Sequence, residues 1–203
     1  MRTTRPLRLC LLLVLMSPTS QQAVAETSAE QLKQRIQARS QRIAEFRALL
    51  NDPDQTVRLA ALDEMLGSDD VAMRELAFGV CFNSADQAMR AICLRRKFAD
   101  LGTINVEFPG AAGQEWSASQ LKVLQVWGGT YTFSVTGFDP KTGRFKTTGK
   151  YSSGSGQLSG TRLTFKHPYC AGSFALGDGA VLEGELGCTS SWAGTFKGVI
   201  RLQ

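Results

Sequence analysis

The sequence predicts an α+β chain: N-terminal antiparallel helical hairpins, then a C-terminal antiparallel β meander that closes as a small barrel or sandwich. Two observations carry this expectation. A sixteen-residue echo repeats one helical unit, in Asp54-Gln-Thr-Val57-Arg58, Asp70-Val-Ala-Met73-Arg74 and Asp86-Gln-Ala-Met89-Arg90, with Leu62, Phe78 and Leu94 in register behind it. Near Gly102 the composition then turns from Ala, Leu, Arg, Asp and Gln to Gly, Thr, Ser, Phe and Val, and the apolar period falls to two.

Residues 1–25 read as a secretory signal. Arg2, Arg5 and Arg8 precede the apolar run Leu9 to Met16, and Ala23-Val-Ala25 is a small-x-small cleavage site. The run is too short to cross a bilayer and no later stretch is longer, so no transmembrane span is expected. Cleavage near Ala25 would leave a periplasmic or secreted chain with 20 basic and 18 acidic residues, a net charge of +2. That balance supplies no electrostatic case for nucleic acid. Two domains are expected, 26–102 helical and 103–203 β.

Ser28 followed by Gln31 matches a capping box, and Leu32, Ile36, Ile43, Phe46 and Leu50 make one helical stripe ending near Asn51. Asp52-Pro53-Asp54 stops that helix and offers Asp54 as the next N-cap. Asp70 and Asp86 cap a third and a fourth helix, which end near Phe82 and Phe98. Arg58, Arg74 and Arg90 recur at one offset from these aspartates and are expected to form a structural ladder with them, since guanidinium bonds two acceptors at once.

The stretch Leu49 to Leu66, with its Asp-Pro-Asp turn, its Val57-Arg58 pair and the spacing of Ala61, Leu62 and Leu66, resembles a HEAT-type helical repeat. The resemblance covers about residues 28–99. It implies two stacked helical hairpins and a protein-binding scaffold, because stacks of that family usually form such surfaces. The middle unit lacks the proline, and Met replaces Val in the later two.

In the second half, Tyr131, Phe133 and Val135 alternate with Thr and Ser, as in a strand with one buried face. Asp139 to Gly143 reads as a turn, after which Arg144, Lys146, Thr148 and Lys150 face away from Phe145 and Thr147; this basic row suits an exposed sheet edge. Tyr151 to Gly156 has the composition of a flexible loop. Leu158-Ser-Gly160, Leu182-Glu-Gly184 and Phe196-Lys-Gly198 form a second echo, and alternating large and glycine positions let neighbouring strands approach closely. Phe133, Phe145, Phe165, Phe174 and Phe196 are candidates to fill the interior.

Four cysteines survive cleavage. Cys170 and Cys188 flank the turn Gly177-Asp178-Gly179 and are expected to be bridged; Cys81 and Cys93 are left open, because straight antiparallel helices would hold their thiols too far apart. His167, the one histidine, lacks the companions a metal site needs, so neither a metal nor another cofactor is expected. No nucleophile elbow, Walker loop or dinucleotide motif appears, and no catalytic residue is assigned. Trp116, Trp127, Trp192, Tyr169 and His167 are the candidate binding residues, since indole and phenol rings stack on apolar faces while keeping a polar handle. The expected function is non-catalytic, a scaffold for another protein; the alternative is a β domain that binds a glycan or small ligand, with weak hydrolysis at most.

Overall fold

Three aspartates start three helices. Each sits in extended backbone, and its carboxylate accepts from the N–H two residues on: Asp54 from Thr56 at 2.7 Å, Asp70 from Ala72 at 2.9 Å and Asp86 from Ala88 at 2.9 Å. Such caps satisfy donors that a helix start leaves open. The computed structural model describes residues 29–109, 116–149 and 152–202. The expected signal segment, the expected Ser28 cap, Lys150 and Tyr151 lie outside the described residues.

The helices are α1 (Ala29–Leu50), α2 (Gln55–Gly67), α3 (Val71–Phe82) and α4 (Gln87–Ala99). Residues 29–40 belong to a first unit and 41–203 to a second. In the first, Leu32 and Ile36 are exposed, Ile36 at 60%. In the second, Leu62, Met65, Ala77, Met89, Leu94 and Phe98 are buried, each from the apolar stripe of its helix. Among the described residues no helix is long and apolar enough to cross a membrane.

Cys81 and Cys93 are bridged, with their Cα atoms 6.4 Å apart. The bridge therefore brings these positions of α3 and α4 closer than the axial offset expected of straight antiparallel helices would allow. Cys170 and Cys188 are bridged as expected, directly opposite in their ladder. Two disulfides fit an oxidising, extracellular location.

The β half is an eight-stranded antiparallel barrel, closed: β1 (Thr103–Glu107), β2 (Thr130–Thr136), β3 (Arg144–Gly149), β4 (Ser152–Ser159), β5 (Arg162–His167), β6 (Cys170–Leu176), β7 (Val181–Cys188) and β8 (Gly194–Arg201). Every strand pairs with its neighbour in the chain, and β8 meets β1 at Glu107 opposite Val199. A helix that the composition hides, α5 (Ala118–Trp127), joins β1 to β2. Residues 152–156, expected as a flexible loop, are the first part of β4. Small residues are needed there because Gly156 lies between Phe145 and Phe165 on the flanking strands.

The interior is filled. Phe133, Phe145, Phe165, Phe174 and Phe196 are all buried, with Leu158, Leu163, Leu182, Leu186 and Ile200. Rings lie over glycines: a Cβ on Gly156 would come 2.1 Å from Phe145 Cζ, and one on Gly172 2.4 Å from Phe165. At the base of the barrel Phe98 of α4 packs against Phe138 and Phe145, at centroid distances of 5.1 and 5.0 Å. Arg95 Nη1 donates to the carbonyl of Pro140 at 2.5 Å, and Arg90 Nη2 to those of Leu176 and Gly177. Helix α4 therefore seats on the loops at that end.

The echoed arginines act on different partners. Arg58 donates to the carbonyls of Asp52 and Pro53 and forms an ion pair with Asp86 at 2.7 Å. Its guanidinium holds the Asp86 carboxyl below the usual carboxylate range. Arg74 reaches back to the carbonyl of Ser68 at 2.5 Å, and Arg90 goes to the barrel.

A methyl group at Gly184 would stand 2.1 Å from the Ser173 carbonyl oxygen and 2.6 Å from Phe174 Cα. Backbone cannot swing aside as a side chain can. Gly184→Ala is expected to cost about 1–3 kcal/mol, read as a lower midpoint in guanidinium denaturation with an unchanged slope.

Candidate functional site

The end of the barrel away from α4 is open, and local geometry on several segments brings aromatic rings to its rim. Helix α5 begins at a capping box: Gln120 N–H donates to the Ser117 hydroxyl at 3.3 Å, and Ser117 N–H to the Gln120 side chain at 2.9 Å. Gln120 Nε2 also donates to the Thr195 carbonyl at 2.8 Å, tying the helix to β8. The helix stops at Gly128, which is left-handed at φ +65°, so Trp127 is its last residue and Tyr131 follows on β2. The two rings stand 5.0 Å apart.

Pro168 and Tyr169 form the two-residue turn between His167 and Cys170, which pair across β5 and β6. Proline suits the first turn position, but the second needs positive φ, where glycine is usual. Tyr169 takes it at φ +71°, a conformation that costs a residue with a Cβ about 1–2 kcal/mol. Its carbonyl is held by the N–H of Thr189 at 2.7 Å and the neighbouring Cys170 by the disulfide to Cys188. The side chain is 62% exposed. The loop that holds it also departs from ordinary backbone: Ser190 has φ +60° and opens the short turn Ser190–Trp192 that sets Trp192 5.8 Å from Trp127. Both strained residues thus belong to segments that deliver a ring to the rim.

Together these segments enclose an open-mouthed cavity of about 720 Å³. Trp127, Tyr131, Tyr169 and Trp192 supply its aromatic lining; Thr130, Thr132, Ser153 and His167 supply polar groups, and Cys170 brings the disulfide to the wall. Among the described residues that line it there is no Asp, Glu, Lys or Arg. His167 is only 8% exposed, and its Nδ1 shares a hydrogen bond with the Thr147 hydroxyl at 3.0 Å, both pointing into the barrel. Phe133 and Tyr131 lie 6.0 and 6.3 Å from its ring. Burial lowers the pKa of His167 below its ordinary value and raises that of Tyr131 to about 12, so both are neutral at pH 7.

Comparison with family models, curated proteins and solved structures finds no match for this chain. Four of the five sequence candidates, Trp127, Tyr169, Trp192 and His167, come together at the mouth. Trp116 does not line it; its ring lies 5.8 Å from Phe196. Asp178, Glu183 and Glu185 stand away from the cavity, and among the described residues no three His, Cys, Asp or Glu are grouped to hold a metal. Sequence reasoning missed Tyr131 as a rim residue and Thr147 as the partner of His167. The signal for the first was present: Ser117-Ala-Ser-Gln120 is a capping box and Trp127-Gly-Gly129 a helix stop.

The buried imidazole gives the fold a pH dependence of defined sign. The unfolded chain takes up a proton near 6.5 and the folded one only at lower pH, so acidification through that range favours the unfolded state. The Tm is expected to fall between pH 7 and pH 5, and to fall less in His167→Gln, as measured by calorimetry in matched buffers.

Proposed function

We propose that this protein is a non-catalytic binding barrel that takes a small uncharged ligand with a ring-bearing apolar body. The observation that carries this reading is the convergence of Trp127, Tyr131, Tyr169 and Trp192 on one mouth whose described lining residues carry no charge. A cavity of this size lies within the range of small-molecule sites, which are mainly apolar with a few convergent polar groups. A charged ligand would lose hydration there and find no counter-charge among the described lining residues.

The arrangement of the rings narrows the class. Trp127 is inclined by 34° to Trp192 and by 60° to Tyr131. Rings at such angles form a cage around a compact body, whereas an extended sugar chain stacks on a flatter platform. The imidazole of His167 would orient one polar group of the ligand. General acid–base chemistry needs a second titrating group within reach of the histidine; among the described lining residues the only others are the phenols of Tyr131 and Tyr169. The scaffold role expected of the helices keeps one observation in its favour, the exposed Leu32, Ile36 and Leu49 of α1.

Trp127 and Trp192 report on the mouth directly, so the test is a titration of intrinsic fluorescence. The uncharged dye Nile red is expected to quench it with saturation, and Trp127→Ala or Trp192→Ala to weaken binding about tenfold, about 1.4 kcal/mol. A neutral hexasaccharide is expected to give no saturable change. Nile red affinity unaltered by either substitution, or saturable hexasaccharide binding that excludes the dye, would overturn this reading.

A further inference from the structure

The basic row of β3 does not border a sheet edge. Edge strands carry such charges to discourage pairing with another chain, but β3 is hydrogen-bonded to β2 on one side and to β4 on the other. The closed barrel leaves this strand no edge to protect. Arg144 and Lys146 are nevertheless exposed on its outer face, and Arg162 and Lys166 are exposed on the outer face of β5.

Strand β4 runs between these pairs with neutral residues outward. Ser155 stands opposite Lys146 on one side and Lys166 on the other; Gln157 stands opposite Arg144 and Thr164. A shallow groove of about 490 Å³ lies over Ser155 and Gln157, with cations on both banks. Two strand spacings place those banks about 10 Å apart. None of the four cations forms an ion pair with a carboxylate among the described residues; Arg162 donates only to the Ser173 hydroxyl, at 3.3 Å. The outward positions of β2 to β6 hold no acid, and the nearest acidic row, Glu183 and Glu185, is on β7.

We infer that this face binds an anionic polysaccharide, with Arg144, Lys146, Arg162 and Lys166 meeting its charged groups and Ser155 and Gln157 its hydroxyls. The chemistry of the face selects that occupant. Among the described residues no aromatic ring projects from it on which bases could stack, as single-stranded nucleic acid requires. Among the described residues no helix or ribbon protrudes from it to enter a duplex groove. No apolar side chain on the outer positions of β3 to β5 could enter a bilayer. The surface is separate from the mouth, and it stands whether or not a small ligand occupies the cavity.

The test is retention of the purified protein on immobilised dextran sulfate and on polygalacturonate, the two arms distinguishing sulfate from carboxylate, with a salt gradient from about 0.05 M, where screening is weak. The protein is expected to be held by at least one. Lys146→Gln/Lys166→Gln is expected to elute at lower salt and to bind about tenfold more weakly, with unchanged Tm because both side chains are exposed. Lys33→Gln/Arg35→Gln on α1, the same loss of charge elsewhere, is expected to leave elution unaltered. The inference fails if neither polymer retains the protein, if the α1 pair weakens retention as much, or if oligo(dT) or phosphatidylglycerol vesicles bind more tightly than both polymers.

Discussion

A phenylalanine ring laid over a glycine on the next strand is the contact on which the barrel depends. An eight-stranded barrel has an interior just wide enough for side chains to fill, and rings on every strand would not fit. Around one layer the pairs run Phe145, Gly156, Phe165, Gly172, so each ring takes the space its neighbour leaves. Glycine costs strand stability through backbone entropy, and the rings offset this by burying large apolar areas. The same filling confines the open volume to the rim, where the last inward layer is His167 and Thr147 instead of another phenylalanine.

The two ends of the barrel are finished differently. At the base, Phe98 adds a ring from α4 to those of Phe138 and Phe145, and the guanidinium groups of Arg90 and Arg95 satisfy loop carbonyls. Arginine suits this work because one planar group bonds several acceptors while its stem packs against apolar surface. At the mouth, positive-φ residues, a disulfide and a short turn hold rings at an opening. Strain of the kind seen at Tyr169 and Ser190 persists where surrounding contacts over-determine the backbone, and here those contacts are the Thr189 hydrogen bond and the Cys170–Cys188 bridge.

Much of the fold was legible because its signals are local. An aspartate cap acts over three residues, and the helices end within a residue or so of where Asn51, Phe82 and Phe98 suggested. Signals failed where the deciding partner is remote. Gly154 and Gly156 look flexible in isolation and become strand because β3 and β5 flank them. Arg90 repeats the offset of Arg58 yet serves a loop 86 residues away. The bridge between Cys81 and Cys93 depends on how α3 and α4 pack, which helical rise alone does not reveal. Helix α5 was hidden by the β-rich composition around it, although its capping box was present. At the candidate site the ring types were legible and their convergence was not, because it requires the register of five strands and the position of one helix.

The closing pair of the barrel sets how the wall can come apart. Its other pairings join neighbours in the chain, and most are linked by short turns whose closure costs little entropy. The pairing of Glu107 with Val199 shuts a loop of more than ninety residues, for which chain statistics give roughly 4 kcal/mol of closure entropy. That long-range contact rewards the chain only after the intervening strands are in place, so it belongs to the late stages of folding. In the native state the same seam carries a much shorter ladder, and amide protons between β1 and β8 should exchange ahead of those in the β6 and β7 ladder, which the disulfide clamps.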